Sequence, residues 1–335
     1  MLTTFLATLD PMLMLFLCIA IGFTLRKTHI LPEDAGKVMS KLEAYVFCPA
    51  LNLITMAKYC TVETLGTHAT NILLASCAVL LAIGLAIPLS ACIVRKKGGE
   101  RGIYAYALAF ANSGYMGDPL ILALFGPATL AFYKIYTLPL NVGTYTWGVA
   151  QIMSGVWEKE EKGGFLATLR KLCNPPMLSL FAGAFLGLTG LGNYLPDFAV
   201  STLESLKSCL GPVAMLLVGF TVAGYHLPSL LKKKKVYVAT ALRLVILPAV
   251  IVGAIFGIKT LANLLLELDI DNTVLFLCFF SVATPLGLNT VIFPEAYGGD
   301  PEPGAAMALV SHTLCVITIS LLFALMTLLF GAPGI

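Results

Sequence analysis

Long apolar runs separated by short polar or charged stretches organise the whole chain. Each run is about 20 residues long, the length that an α-helix needs to cross the hydrocarbon core of a bilayer. The runs lack the strict alternation of apolar and polar residues that is typical of membrane barrel strands. The pattern therefore predicts an all-α integral membrane protein with ten transmembrane helices. The predicted spans are residues 5–25, 36–57, 70–94, 102–125, 128–155, 176–192, 203–225, 236–262, 272–294 and 304–331.

A charged segment in the middle of the chain divides these spans into five and five. Because each part holds an odd number of spans, the two parts must have opposite orientations in the membrane. We therefore predict two inverted five-helix repeats, residues 1–157 and 175–335, joined by a cytoplasmic linker of residues 158–174. A loose internal similarity between residues 110–126 and 280–298 supports a duplication.

The basic residues predict the orientation. Most of the 21 lysines and arginines flank odd-numbered loops, and the positive-inside rule places such loops in the cytoplasm. The expected protein is a multi-pass protein of the plasma membrane with both termini extracytoplasmic. The run Lys232–Lys235 is interpreted as an orientation signal that also contacts lipid head groups.

The composition excludes several classes of function. The chain is 58% hydrophobic and 12% charged, whereas soluble domains are roughly 45–50% apolar and about 25% charged. The nine cysteines form no CxxC pair, which gives no support to a disulfide framework or a metal site. Phosphate-binding-loop, zinc-protease and serine-hydrolase motifs are missing from the sequence. We therefore expect no enzyme, no cofactor and no nucleic-acid partner, and any active transport must use an ion or substrate gradient.

A polar segment with two glycines and a proline interrupts the fourth span at residues 112–119. Proline removes a backbone donor and disrupts the helix, and backbone groups freed inside a bilayer must line a cavity or bond each other. Amides at the start of a half-helix favour an anion. A substrate or ion site is the functional interpretation, and a proline kink packed without a ligand is the alternative. The candidate substrate ligands are Asn112, Ser113, Gly114, Asp118 and Pro119.

The ninth span contains a matching break around Pro285. Its polar residues Thr284 and Asn289 are further candidate substrate ligands, together with Pro285 itself. Two breaks at corresponding positions of two repeats are typical of transporters whose broken helices meet near the midplane of the membrane.

Asp118, Lys134 and Arg243 are the main charged residues within the predicted spans, where such residues are functional candidates. Asp118 is a candidate for proton or ion coupling, with a helix-capping role as the alternative. Lys134 and Arg243 are candidate partners of a substrate anion, or else side chains that snorkel to the membrane surface. The mid-span residues Asn52 and Asn141 are candidate substrate ligands, although such side chains often bond one helix to another.

Taken in order, these motifs resemble those of the auxin efflux carrier family, which includes plant auxin carriers and bacterial organic-acid carriers. The resemblance covers nearly the whole chain. Its strongest marks are in the two broken spans: Asn112–Leu120, Leu124–Gly126, Ala283–Asn289 and Glu295–Asp300. Supporting marks are Val46–Ala50, Asn174–Pro175, Gly211–Gly219, Leu242–Leu244 and Pro248.

The resemblance implies a fold similar to the NhaA antiporter and bile-acid symporter group, with a scaffold, a mobile domain and broken helices 4 and 9. It implies that these helices cross at Pro119 and Pro285 and that Asn112 contacts the substrate. Asp118, directly before the first proline, departs from a family pattern that is usually uncharged there.

These observations predict a secondary transporter that moves a small organic anion, such as malate, malonate or a related monocarboxylate, by alternating access. The alternative is a cation/proton antiporter or symporter of the same fold, and a non-transporting membrane receptor is a third class. The expected partners are the organic anion, the lipid bilayer and either H+ or Na+. The sequence leaves open whether the protein is a homodimer.

Overall fold

The computed structural model of the chain describes residues 2–157 and 174–331, and these residues form helices with no β-strand. The predicted all-α class is therefore confirmed, while most of the predicted linker lies outside the described residues. The first part of the chain contains α1 (Leu2–Lys27), α2 (Ala35–Leu42), α3 (Cys48–Tyr59), α4 (Val62–Thr67), α5 (Ala69–Ile93), α6 (Gly99–Ala109), α7 (Asp118–Tyr136), α8 (Leu138–Gly143) and α9 (Val149–Trp157). The second part contains α10 (Pro175–Thr189), α11 (Asp197–Ala223), α12 (Leu227–Leu231), α13 (Lys234–Ala241), α14 (Leu247–Leu265), α15 (Thr273–Ala283), α16 (Asn289–Tyr297) and α17 (Glu302–Phe330).

Short π-helical turns join several of these helices into longer ones. A proline ring clashes with the carbonyl four residues before it, and the wider bonding of a π turn absorbs such a disturbance without ending the helix. Pro49, Pro119 and Pro248 each stand in the first turn of an α-helix that follows a π turn. The π turns are Glu43–Phe47 between α2 and α3, Ser113–Gly117 before α7, Thr144–Gly148 between α8 and α9, and Leu242–Ile246 between α13 and α14.

Five helices of the described residues are long and apolar enough to cross a membrane, and α10 and α15 are shorter apolar helices. Large apolar side chains such as Leu73, Leu80 and Leu321 lie exposed on the outside, as expected of a surface in contact with lipid. The chain is therefore a multi-pass membrane protein, and the number of ten spans stays a prediction. The five helices are Ala69–Ile93, Ser113–Tyr136, Asp197–Ala223, Lys234–Leu265 and Glu302–Phe330.

Two broken helices meet in the interior of the protein. The chain is extended after α6 and again after α15, and the two extended segments form an antiparallel bridge between Ala111 and Leu286. Asn112 N–H donates to the Pro285 carbonyl at 2.7 Å, and Gly287 N–H donates to the Phe110 carbonyl at 3.0 Å. These bonds satisfy backbone groups that no water in a bilayer core would reach. We call residues 110–112 and 284–288 the crossing.

The crossing corrects one expectation. Pro285 lies in it, as the resemblance implied, but Pro119 does not. Pro119 stands in the first turn of α7, directly after the Ser113–Gly117 π turn, whose wider bonding accommodates its ring. The first break therefore lies at residues 110–112, before the Ser113–Gly117 turn.

Each half-helix that leaves the crossing ends at a glycine with positive φ. Gly126 interrupts α7 with φ 81°, and Gly298 follows α16 with φ 79°. Only glycine adopts this conformation at little cost. The predicted boundary between spans four and five, after residue 125, is thus a kink at Gly126, although the helix resumes at once and continues to Tyr136.

Close backbone contacts define two groups of helices. Helix α1 packs against α11, and α3 packs against α10. A Cβ added to Gly219 would lie 1.9 Å from the Ile19 carbonyl oxygen, and one added to Gly183 would lie 2.6 Å from the Leu53 carbonyl oxygen. Glycine permits such close approach of helices. We call α1–α3, α10 and α11 the glycine bundle, and α5–α9 with α13–α17 the crossing bundle.

Candidate functional site

Asn112 caps the half-helix that begins at the crossing. Its Oδ1 accepts the Tyr115 N–H at 3.2 Å, which points its Nδ2 at His312 Nε2, 3.1 Å away. His312 Nδ1 lies 2.8 Å from the Ala308 carbonyl oxygen. These bonds assign the proton to Nδ1, so the ring is neutral and Nε2 accepts from Asn112. In this conformation both polar groups of Asn112 are in use, and its first role is to hold the half-helix in place.

Asp118 and Lys134 form an ion pair across the kink at Gly126. Their side chains are 19% and 9% exposed, respectively, so little water screens the pair. Lys134 therefore does not snorkel. Asp118 Oδ1 is buried with no hydrogen-bond partner among the described residues. If the ion pair opens, a ligand can therefore bind the Lys134 ammonium group or donate a hydrogen bond to Asp118 Oδ1.

A cavity of about 480 Å³ lies between the two bundles, bounded by α1, α3, α7 and α11. This volume is in the range of small-molecule sites. Its polar wall contains three lysines and two carboxylates, which gives an excess of positive charge. Glu204 and Lys207 pair at 2.6 Å, whereas Lys58 forms no ion pair with any part of the chain that the structure describes. The polar lining residues are Thr55, Lys58, Tyr59, Tyr115, Asp118, Lys134, Glu204, Lys207 and Ser208.

The first turn of the half-helix borders this cavity. Gly114 lines it, and a Cβ at this position would meet no other atom within 4 Å. Ser113 is buried one residue earlier, and Pro119 lines the wall one turn later. The Tyr115, Met116 and Gly117 amides bond to Asn112. The first amides of a helix have no intrahelical partner, and their partial positive charge adds to that of Lys134.

Tyr133 connects the start of the first half-helix to α15 and was not predicted. Its hydroxyl lies 3.2 Å from the Phe280 carbonyl oxygen and 3.5 Å from the Ser113 carbonyl oxygen. The buried hydroxyl thus lies beside main-chain carbonyls of two helices and forms a polar bridge inside apolar surroundings. In the sequence it is one aromatic residue among many, so no local signal singled it out.

Arg243 binds the C-terminal ends of α6 and α15, the two half-helices that lead into the crossing. Its Nη1 donates to the Leu108 carbonyl at 2.9 Å and its Nη2 donates to the Val282 carbonyl at 2.7 Å. Leu108 is near the end of α6 and Val282 near the end of α15, where helix dipoles place partial negative charge. The side chain is buried, so snorkelling is wrong for Arg243, and its terminal nitrogens already have acceptors.

The second half-helix presents unpaired acceptors at its start. Asn289 Nδ2 donates to the Tyr106 hydroxyl at 2.9 Å, while its Oδ1 is buried without a described partner. The buried Thr284 hydroxyl is likewise unpaired among the described residues, and the Pro285 carbonyl accepts from Asn112. Among the predicted candidates of the two breaks, Asn112 and Pro285 are thus in contact, whereas Thr284, Pro285 and Asn289 do not line the cavity.

The two mid-span asparagines lie apart from the cavity lining. Asn52 Nδ2 donates to the Pro176 carbonyl at 2.9 Å and so joins α3 to α10. Asn141 is half-buried in α8, where its backbone N–H bonds to the Thr137 carbonyl. Neither side chain contributes to the wall of the cavity.

Glu43 is a buried acidic residue that the sequence reasoning missed. It begins the π turn between α2 and α3, is 0% exposed, and neither carboxylate oxygen has a hydrogen-bond partner among the described residues. The available signal was an acidic residue eight positions into a predicted apolar span. Its position two residues after Lys41 makes it resemble the charged end of that span.

The fold and the site define a class: a multi-pass helical membrane protein with a polar cavity beside a crossing of broken helices. Comparison with known proteins agrees. The chain belongs to the membrane transport protein family, which is auxin efflux carrier-like, and the family model matches residues 7–323. An uncharacterized transporter of Methanocaldococcus jannaschii is 22% identical over 323 residues, which cover 93% of this chain and 97% of that protein. The predicted family resemblance is confirmed, and the family is one of transporters rather than enzymes.

Proposed function

We propose that this protein is a secondary transporter that moves a small organic anion across the plasma membrane by alternating access. One observation supports this most directly. The cavity between the bundles combines an ammonium group, Lys134, with the amide end of a half-helix at Gly114. A carboxylate accepts from both kinds of donor.

In this proposal the substrate carboxylate competes with Asp118 for Lys134. Without substrate, Asp118 neutralises the lysine, so the cation is never buried alone, which would be costly. With substrate, the incoming carboxylate takes over Lys134 and approaches the amides near Ser113. Lys58 and Lys207, in the same cavity, attract the anion before it reaches this position.

The architecture that we propose is ten spans in two inverted repeats, with residues 1–157 and 175–335 as the repeats. Support comes from reciprocal packing, because α1 of the first repeat pairs with α11 of the second, and α10 of the second pairs with α3 of the first. The glycine bundle is the scaffold and the crossing bundle is the moving part. On the side opposite to the cavity, α16 packs against α2, so in our topology the cytoplasmic side is closed.

Binding of radiolabelled malate, malonate and acetate to the purified protein tests this proposal, with radioactive sodium ion as the cation control. We expect saturable binding of at least one carboxylate that the others displace. The variant D118N/K134Q replaces the ion pair by a neutral pair, and we expect its affinity to fall at least about tenfold, because a hydrogen bond to a charged group contributes roughly 1.5–3 kcal/mol. K233Q, at an exposed lysine, is the matched control. Unchanged affinity in D118N/K134Q would remove Lys134 from the site.

A cation/proton antiporter is the second candidate, and Glu43 is the observation that favours it. With Asp118 it makes two intramembrane carboxylates, the residue type such antiporters use. The excess of positive charge on the cavity wall disfavours a cation there. Binding of sodium without any carboxylate would select this second candidate.

A further inference from the structure

Glu43 has no counterion among the residues that the structure describes. Neither of its oxygens is bonded within the described chain, and its side chain is fully buried. Asp118, a carboxylate of the cavity wall, has Lys134 as counterion. An ionised carboxylate in apolar surroundings is very costly unless it is paired. The group that Glu43 binds must therefore be a cation, and the smallest is a proton.

The groups around Glu43 are neutral or distant. Cys48, on the same helix, and Tyr115 are near enough to interact with it electrostatically. Helix α16 packs against the Glu43–Phe47 turn, and its ionisable residues are Glu295 and Tyr297. Helix α10 contributes no ionisable residue, and those of α11 lie in its N-terminal half. The preceding lysines, Lys37 and Lys41, are exposed.

Glu43 also stands between the cavity and the closed side of the protein. Tyr115 lines the cavity, and its hydroxyl lies 3.9 Å from the Cys48 sulfur. On the other side, α16 covers α2 so closely that Glu295 Oε1 lies 3.2 Å from where a Cβ on Gly36 would stand. In the cycle proposed above, opening of that side would separate α16 from α2 and from the Glu43–Phe47 turn, which would give water access to Glu43.

We propose that Glu43 is the proton-binding group of the transport cycle. It takes up a proton while the cavity is open, keeps it while buried, and releases it when α16 moves away. The proposal rests on the function proposed above, since it gives that cycle its coupling ion. It gives Glu43 a coupling role beside any at Asp118, because Glu43 has no partner among the described residues, whereas Asp118 is paired with Lys134 until substrate binds. A metal cation would need several oxygen ligands, whereas the neighbours of Glu43 are a thiol and a phenol.

Infrared spectroscopy of the full-length protein in lipid tests the proton directly, whatever the substrate is. We expect the wild-type protein to show the carbonyl stretch of a protonated carboxyl group that is lost in E43Q and retained in E63Q, a matched change at an exposed glutamate. E43D keeps the acid and should shift the band, which identifies the group if E43Q folds poorly. Identical spectra of wild type, E43Q and E43D would overturn the proposal.

Proteoliposomes give the second readout, with radiolabelled malate, malonate and acetate. E43Q should still exchange labelled for unlabelled carboxylate, because glutamine imitates the protonated acid. It should lose the accumulation that an imposed pH gradient drives. If E43Q accumulates carboxylate like wild type, Glu43 is not the coupling group. If the wild-type protein exchanges no carboxylate, the transport proposal fails, and the infrared band still decides on Glu43.

Discussion

Asn112 and His312 lie 200 positions apart in the chain, yet their side chains share a buried hydrogen bond of 3.1 Å. The bond joins the cap of the first half-helix to α17 and fixes both partners. The amide is oriented by the Tyr115 N–H and the ring by the Ala308 carbonyl. The start of the half-helix beside the cavity is therefore held by a residue from the second part of the chain.

His312→Leu should destabilise the protein by roughly 1–3 kcal/mol, because it leaves a buried amide donor without an acceptor. His312→Gln retains an acceptor and should lose less. Thermal unfolding of both variants in detergent measures the difference, with Thr313→Ala on the exposed face of α17 as control. Equal stability of H312L and wild type would show that the bond is not formed.

Arg243→Met should destabilise the crossing by roughly 1–3 kcal/mol for each of the two carbonyls that it leaves unpaired. Arg243→Lys keeps the charge but cannot bond both carbonyls as a planar fork does, so we expect an intermediate loss. The exposed residue Arg95 provides the control substitution, R95M. Thermal unfolding is again the measurement, and a fully stable R243M would mean that the two helix ends need no cation.

Gly219→Ala should be severely destabilising, by roughly 1–3 kcal/mol or more. The added methyl group would stand 1.9 Å from the Ile19 carbonyl oxygen, so α1 and α11 must move apart. Gly253→Ala, on α14 with no atom within 4 Å of the added Cβ, is the matched control and should be neutral or stabilising. If both variants unfold alike, the close packing of the glycine bundle is wrong.

Local chemistry explains what the sequence could predict. Gly126, Gly298 and Pro285 mark changes of backbone direction through their own restricted or permissive dihedrals, so they are visible in the sequence alone. Residues 110–112 are Phe, Ala and Asn, and none of them breaks a helix strongly. Their extended conformation depends on bonds to Pro285 and Gly287, which come from a distant part of the chain. The stronger local signal at Pro119 therefore misplaced the first break.

Long-range partners explain what the sequence missed. Asp118 and Lys134 are 16 positions apart, and helical periodicity cannot relate them because the chain turns at Gly126. Arg243 looked equally suited to snorkelling and to substrate, since its partners are backbone carbonyls that no residue type reveals. Asn52, by contrast, follows the general tendency of intramembrane amides to bond helices together.

The orientation predicted from the basic loops has its own test. In a cysteine-free background, Lys234→Cys should react with a membrane-impermeant maleimide only after the cells are opened, since Lys234 belongs to a loop predicted to be cytoplasmic. Tyr194→Cys, at a side chain that is 83% exposed in a loop on the opposite side, should react in intact cells. Labelling of Lys234→Cys from outside would reverse the topology and place the cavity on the cytoplasmic side.

The ion pair between Asp118 and Lys134 permits the sharpest test of the site. Asp118→Asn alone leaves a buried ammonium group without its counterion, and breaking a buried pair in this way costs roughly 3–5 kcal/mol. Removing both charges in D118N/K134Q should restore much of that stability, because two neutral side chains of this size can hydrogen-bond to each other. A double-mutant cycle on thermal unfolding, completed by K134Q, measures the coupling between the two residues.

We expect D118N to regain stability when malonate or another bound carboxylate is added, since the ligand then supplies the missing negative charge. Additive effects of the two substitutions would show that the pair is not formed in the membrane, and an unchanged stability of D118N with ligand would place the carboxylate elsewhere in the cavity.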